Sequence, residues 1–112
     1  MQKIDIQPYG PGVAADFVHT ERVTLAFWTI DAGTQVPEHS HENEQIVNVL
    51  EGDLEFTIDG VTEVLSAGCI AVVPSHASHS GRALTDCRVI DTFQPVQKQF
   101  ALPANAPAEQ LT

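Results

Sequence analysis

Basic residues are scarce in this sequence: five lysines and arginines stand against fifteen aspartates and glutamates, a formal net charge of -10 over 112 residues. Nucleic-acid binding rests on clustered cations that neutralise phosphates, so this balance argues against that class of partner. It does not argue against an anionic small molecule, because charges beyond about 10 Å are screened and a local cation governs its own pocket. Long apolar runs are missing too, and none approaches the roughly 20 residues of a membrane span. Met1-Gln2-Lys3-Ile4-Asp5 lacks the basic and apolar regions of a secretory signal, which points to the cytoplasm. The two cysteines, Cys69 and Cys87, form no C-x-x-C pair, so buried free thiols are expected rather than a bridge. No segment carries a sustained apolar stripe at helical spacing, and there are no internal repeats.

What the sequence does contain is short apolar runs punctuated by seven glycines and seven prolines. Val23 to Ile30 is rich in strand formers and ends in the turn signal Asp31-Ala32-Gly33-Thr34. Further strands are expected at Gln45–Glu51, Leu54–Ile58, Val61–Leu65, Cys69–Val73 and Cys87–Phe93, with Asp59-Gly60 as a two-residue hairpin turn. Lys3 to Gln7 is a short extended segment. Pro8-Tyr9-Gly10-Pro11-Gly12 is expected to be irregular, and Ser75 to Gly81 polar and flexible. Short strands separated by turns predict an all-β sandwich or barrel whose inward side chains line a cavity. One domain is expected, with an N-terminal arm at 1–19, a barrel at 20–97 and a tail at 98–112 that forms a short helical turn or stays loose.

Within that frame, His39 and His41 share a face if their segment is extended, and together could grip one ion. Gln45 offers a third ligand four residues on, and His79 a fourth after the chain has returned through a hairpin. Three neutral imidazoles and a neutral amide oxygen would leave a divalent ion its full +2 charge, with two of six octahedral positions open. Such ligation suits Ni, Fe, Zn, Cu or Mn and does not choose among them. His19 falls outside this spacing and is expected at the surface or in a hydrogen bond. Downstream, Cys87, Val89, Asp91 and Phe93 share one strand face, so Asp91 travels inward with apolar neighbours. A carboxylate is costly there unless it is paired or used.

The run G-x5-H-x-H-x3-Q-x6-G from Gly33 to Gly52, and G-x5-P-x4-H from Gly68 to His79, resemble the two cupin motifs, with fifteen residues between them. The resemblance implies a double-stranded β-helix, or jelly-roll, barrel holding a divalent transition metal on His39, His41, Gln45 and His79. It selects His79 over its rival His76, which is left at the pocket rim or behind the ligands. It also implies a homodimer, with the N-terminal arm pairing to a partner subunit. Three positions depart from the usual pattern: Gln45 stands for glutamate, His76 for glycine and Ala83 for asparagine.

A narrower resemblance lies in P-E-H-S-H-x3-Q, L-E-G-D-L-E-F-T-I-D-G and D-x-F-x-P, which are similar to KdgF-type cupins. Those enzymes convert 4,5-unsaturated uronates, released in pectin or alginate breakdown, into linear keto sugars. The resemblance implies a catalytic role for Asp91 and a pocket-lining one for Phe93. An arginine common shortly after that motif is Gln97 here, and the motif names neither Arg82 nor Arg88 in its place. His76 and Arg82 are the polar candidates for contact with a small-molecule substrate, expected to be a sugar acid. Two alternatives stand beside this reading: a metal-dependent dioxygenase or other carbonyl isomerase, and a non-catalytic sugar- or small-molecule-binding cupin. No helix-turn-helix segment supports a DNA-binding regulator.

Overall fold

The computed structural model describes residues 1–101, which form ten strands and one short 3₁₀ turn. The strands are β1 (Gln7–Gly10), β2 (Val13–His19), β3 (Thr24–Ile30), β4 (Gln35–His39), β5 (Glu44–Glu51), β6 (Leu54–Ile58), β7 (Val61–Leu65), β8 (Ile70–Val73), β9 (His79–Ala83) and β10 (Cys87–Gln94). All pairings are antiparallel, in a six-stranded sheet ordered β1-β2-β3-β10-β5-β8 and a four-stranded sheet ordered β4-β9-β6-β7. One buried cluster joins the sheets, with Ala26, Trp28, Val47, Val49 and Val89 from the first and Leu54, Phe56 and Ala83 from the second. This is the all-β jelly-roll architecture. No helix among the described residues is long and apolar enough to cross a membrane.

Alternation decides which side chains reach that core. Along β3 every second residue from Thr24 to Ile30 is buried, and along β10 the buried set is Cys87, Val89, Asp91 and Phe93. The β6–β7 hairpin turns on Asp59 and Gly60, both with positive φ (47° and 81°), the backbone of a type I′ turn. Gly52 ends β5 at φ 87°, and a Cβ there would collide with the carbonyl oxygen of Asp86.

Four expectations need correction. Pro8-Tyr9-Gly10 is not irregular: it lies in β1, an edge strand, where proline's missing N–H costs no central ladder bond. Residues 7–19 belong to the main sheet, since β2 pairs with β3 from Val13↔Ile30 to His19↔Thr24 and Tyr9, Val13 and Ala15 are buried. Within Ser75–Gly81, the last three residues open β9, which pairs with both β4 and β6. Both thiols are free, but only Cys87 is buried; Cys69 is exposed in the turn before β8.

His19 is exposed and hydrogen-bonded to the Thr24 hydroxyl at 2.9 Å. Of the tail, Lys98–Ala101 forms the 3₁₀ turn, and residues 102–112 lie outside the described residues. Phe100 is buried there, stacked on Phe17 at 4.7 Å and edge-on to Trp28 and Phe93 at 5.5 and 5.2 Å.

Candidate metal centre

His39 ends β4 and His79 begins β9, directly opposite one another in the ladder, with ring centroids 4.3 Å apart. His41 lies beyond β4, in the connection to β5, with its ring 5.8 Å from that of His39 and 4.8 Å from that of His79. His39 and His41 are half-buried with exposed Ser40 between them, the alternation of an extended segment, and the chain bends only after His41, at Glu42-Asn43. The three rings each offer one nitrogen, and these atoms lie within 4.8 Å of one another. Gln45 reaches the cluster from the six-stranded sheet, fully buried on β5 with Val47 and Val49 on the same face.

Each imidazole is oriented by a main-chain carbonyl: His39 Nδ1 on Pro37 at 2.7 Å, His41 Nδ1 on Asn43 at 3.0 Å, and His79 Nδ1 on Ala77 at 2.9 Å. A carbonyl oxygen can only accept, so each Nδ1 carries the proton and Nε2 is the nitrogen left with a lone pair. In His41 this creates a conflict, because its Nε2 lies 3.1 Å from Gln45 Oε1, a second acceptor. A proton on both nitrogens would resolve it, but burial pushes the pKa of His41 down. A cation accepting both lone pairs resolves it without that cost. The donor set thus fits a divalent transition metal on His39, His41, His79 and the Gln45 oxygen.

Behind Gln45 lies Asp91, 1% exposed, whose Oδ2 accepts the indole N–H of Trp28 at 3.0 Å. Burial drives its pKa up to about 7, while proximity to the Gln45 amide and the Trp28 bond oppose the rise. Its Oδ1 and Gln45 Nε2 have no hydrogen-bond partner, and both residues line a small cavity of about 20 Å³ between the sheets. Phe93, two residues on, is fully buried with its ring edge-on to His41 at 5.7 Å. Asp91, Phe93 and the four potential ligands are therefore assembled in one place.

The other sequence candidates fall differently. His76 is exposed at φ 66°, and its N–H donates to the His41 carbonyl at 2.8 Å, so its loop is tied to the cluster from outside. Arg82 is not brought to the site. It faces away from His79 and Ala83 on β9 and pairs with Glu55 at 3.6 Å on the outer surface. Arg88 likewise pairs outside, with Glu51 at 3.2 Å. Gln97 is buried at the start of the C-terminal turn, its N–H donating to Thr24 Oγ1 at 2.9 Å.

Two residues here have no place in the sequence motifs. Trp28 could have been found, because a buried indole needs a partner and Asp91 shares its inward parity. Asn43 supplies the carbonyl for His41 and is itself held through its side chain by the Pro95 carbonyl, a contact without a local sequence signal.

Residues 26–93 match the cupin domain family. Among solved structures, the chain is similar to KdgF from Halomonas sp., at 34% identity over 81% of this chain and 86% of that one, with a TM-score of 0.77. It is also similar to an RmlC-like cupin from Shewanella frigidimarina, at 29% identity over 88% and 89% of the two chains, with a TM-score of 0.83. A variant of salicylate 1,2-dioxygenase from Pseudoaminobacter salicylatoxidans shares the fold: it is 24% identical over 74% of this chain and 26% of that chain, with a TM-score of 0.71.

Proposed function

This chain belongs to the cupin domain family, and on that ground we propose that it is a metal-dependent enzyme that opens 4,5-unsaturated uronates to their linear keto forms. The observation that carries the metal is the meeting of two acceptors, His41 Nε2 and Gln45 Oε1, inside a histidine cluster. What favours this chemistry over others is a buried acid, Asp91, beside that cluster with a pKa near neutrality, together with the likeness to KdgF.

His39, His41, His79 and Gln45 would hold the ion, which would supply positive charge for the carboxylate and ring oxygen of the substrate. Asp91 takes the proton of the anomeric hydroxyl. The bond from the anomeric carbon to the ring oxygen breaks, leaving an aldehyde, and its electrons pass to the ring oxygen. The species left is an enolate, and as it becomes a ketone at C5, Asp91 delivers the same proton to C4, so nothing is added or lost. Burial raises the Asp91 pKa to about 7 in the metal-free protein, which favours a group that can return the proton as well as accept it. Trp28 engages Oδ2, which makes Oδ1 the oxygen that moves the proton. Phe93 walls the site beside His41.

The test is to follow the loss of alkene absorbance when metal-loaded protein meets unsaturated galacturonate. Turnover is expected, and Asp91→Asn should lose at least about 10²-fold while retaining its metal. Turnover by Asp91→Asn at the wild-type rate would defeat the mechanism. Oxygen uptake with an aromatic diol, and no uronate turnover, would move the assignment to a dioxygenase.

The enzyme would act as a homodimer joined through the outer face of the six-stranded sheet. Ile46, Ile70 and Val72 are 39%, 61% and 51% exposed there, on β5 and its edge neighbour β8. Leu25, Phe27 and Ile90 continue the apolar rows across β3 and β10. Asn48 and Thr92 lie between these six apolar positions, and the carboxylates of Asp16 and Glu44 stand at the edges of the patch, beside Phe27 and Ile46. Light scattering should give the mass of a dimer, and Ile70→Glu with Val72→Glu that of a monomer. A monomeric wild type would rule this face out.

A further inference from the structure

Gln45 and Asp91 are the two polar residues lining a cavity otherwise walled by Ile30, Val47, Leu54, Phe56 and Val89, with Val36 and Gly81 at its margin. They sit on adjacent strands, Gln45 opposite Phe93 and Asp91 opposite Val47, and are 0% and 1% exposed. Among the described residues, Asp91 is the one carboxylate in the buried set. No arginine compensates it, since Arg82 and Arg88 are committed to glutamates on the outer surface. The amide of Gln45 is turned so that its oxygen faces His41, which leaves its NH₂ without a partner on a cavity shared with Asp91 Oδ1, also without one.

We propose that this interior accommodates a single carboxylate, and that Asp91 is the physical reason position 45 carries an amide. A glutamate at 45 would place a second negative charge on the same buried cavity, with no cation on the protein side to offset it. The amide meets both demands: an oxygen for the histidine cluster, and a donor rather than a charge toward Asp91. The choice at 45 and the choice at 91 are therefore one decision, which sets whether the negative charge lies on a ligand or behind it. This holds whatever the substrate is.

The test uses four full-length proteins: wild type, Gln45→Glu, Asp91→Asn and the double variant. Each is melted at pH 8, as purified and after dialysis against EDTA, and titrated with Zn²⁺. After EDTA, Gln45→Glu should lower the Tm by roughly 10 °C, and Asp91→Asn should restore most of that loss. The double variant, with its charge moved to position 45, should bind Zn²⁺ at least about tenfold more tightly than wild type, because an anionic ligand replaces a neutral one. Additive Tm changes, or a Gln45→Glu protein as stable as wild type, would overturn the proposal. Should Gln45→Glu yield no folded protein, recovery of folding in the double variant supports the coupling and continued failure refutes it.

Discussion

Trp28 donates its indole N–H to Asp91 Oδ2 at 3.0 Å, a bond between residues 63 positions apart that joins β3 to β10 inside the sheet's buried face. Removing that donor leaves a buried carboxylate oxygen unpaired. Trp28→Phe should therefore cost about 1–3 kcal/mol from the orphaned oxygen alone, on top of lost packing. It should also raise the pKa of Asp91 further, because the bond favours the ionised form. Urea unfolding and the acid limb of the pH–rate profile measure the two effects separately.

The pKa of Asp91 makes stability depend on pH. Its value rises from 3.8 to about 7 on folding, so between those pH values the folded state holds a proton that the unfolded state has released. Metal-free protein should accordingly lose stability as pH rises from 4 to 7, by roughly 4 kcal/mol at most, and then level off. Asp91→Asn should flatten this dependence and be more stable than wild type at pH 8. Chemical denaturation at a series of pH values checks both statements.

Metal binding should report on the histidines directly. One equivalent of divalent metal per chain is expected by elemental analysis, and a metal at 100-fold over its Kd should stabilise by about 2.7 kcal/mol. His39→Ala, His41→Ala and His79→Ala should each abolish that stabilisation. His19→Ala should leave it intact, since His19 bonds to Thr24 away from the cluster.

Two glycines of similar φ should respond differently to alanine. At Gly60 a Cβ meets nothing, so Gly60→Ala should cost about 1 kcal/mol from the left-handed backbone alone. At Gly52 it would strike the Asp86 carbonyl, so Gly52→Ala should cost distinctly more, or fail to fold. Thermal unfolding of the two variants side by side decides.

Phe100 closes the open end of the aromatic cluster made by Tyr9, Phe17, Trp28 and Phe93. Phe100→Ala should cost about 3–5 kcal/mol, the usual loss for a buried phenylalanine. Unfolding in guanidinium measures it.

Strands with strict alternation were legible because period-two patterning states both the element and its inner face. Leu54–Ile58, the Asp59-Gly60 turn and the inward set Val89, Asp91 and Phe93 all follow from it. Val13–His19 was not legible: its alanines and Asp16 carry a weak strand signal, and pairing with β3 supplies what propensity lacks. The four potential ligands were readable from spacing, but their geometry was not. The opposition of His41 Nε2 to Gln45 Oε1 depends on a carbonyl at Asn43, in the bend after His41, that no motif specifies. Arg82 shows the limit of nearness in sequence, since three residues from His79 is an odd step along a strand and lands on the other side.

All three imidazoles are steered by carbonyls within two positions of themselves, so the path of the peptide chain decides which nitrogen each ring presents. Side chains at the rim that touch neither Gln45 nor Asp91 can change without altering which nitrogen each ring presents. A lineage built on this arrangement can trade one substrate for another by repainting the rim while the chain path keeps the ring nitrogens aimed.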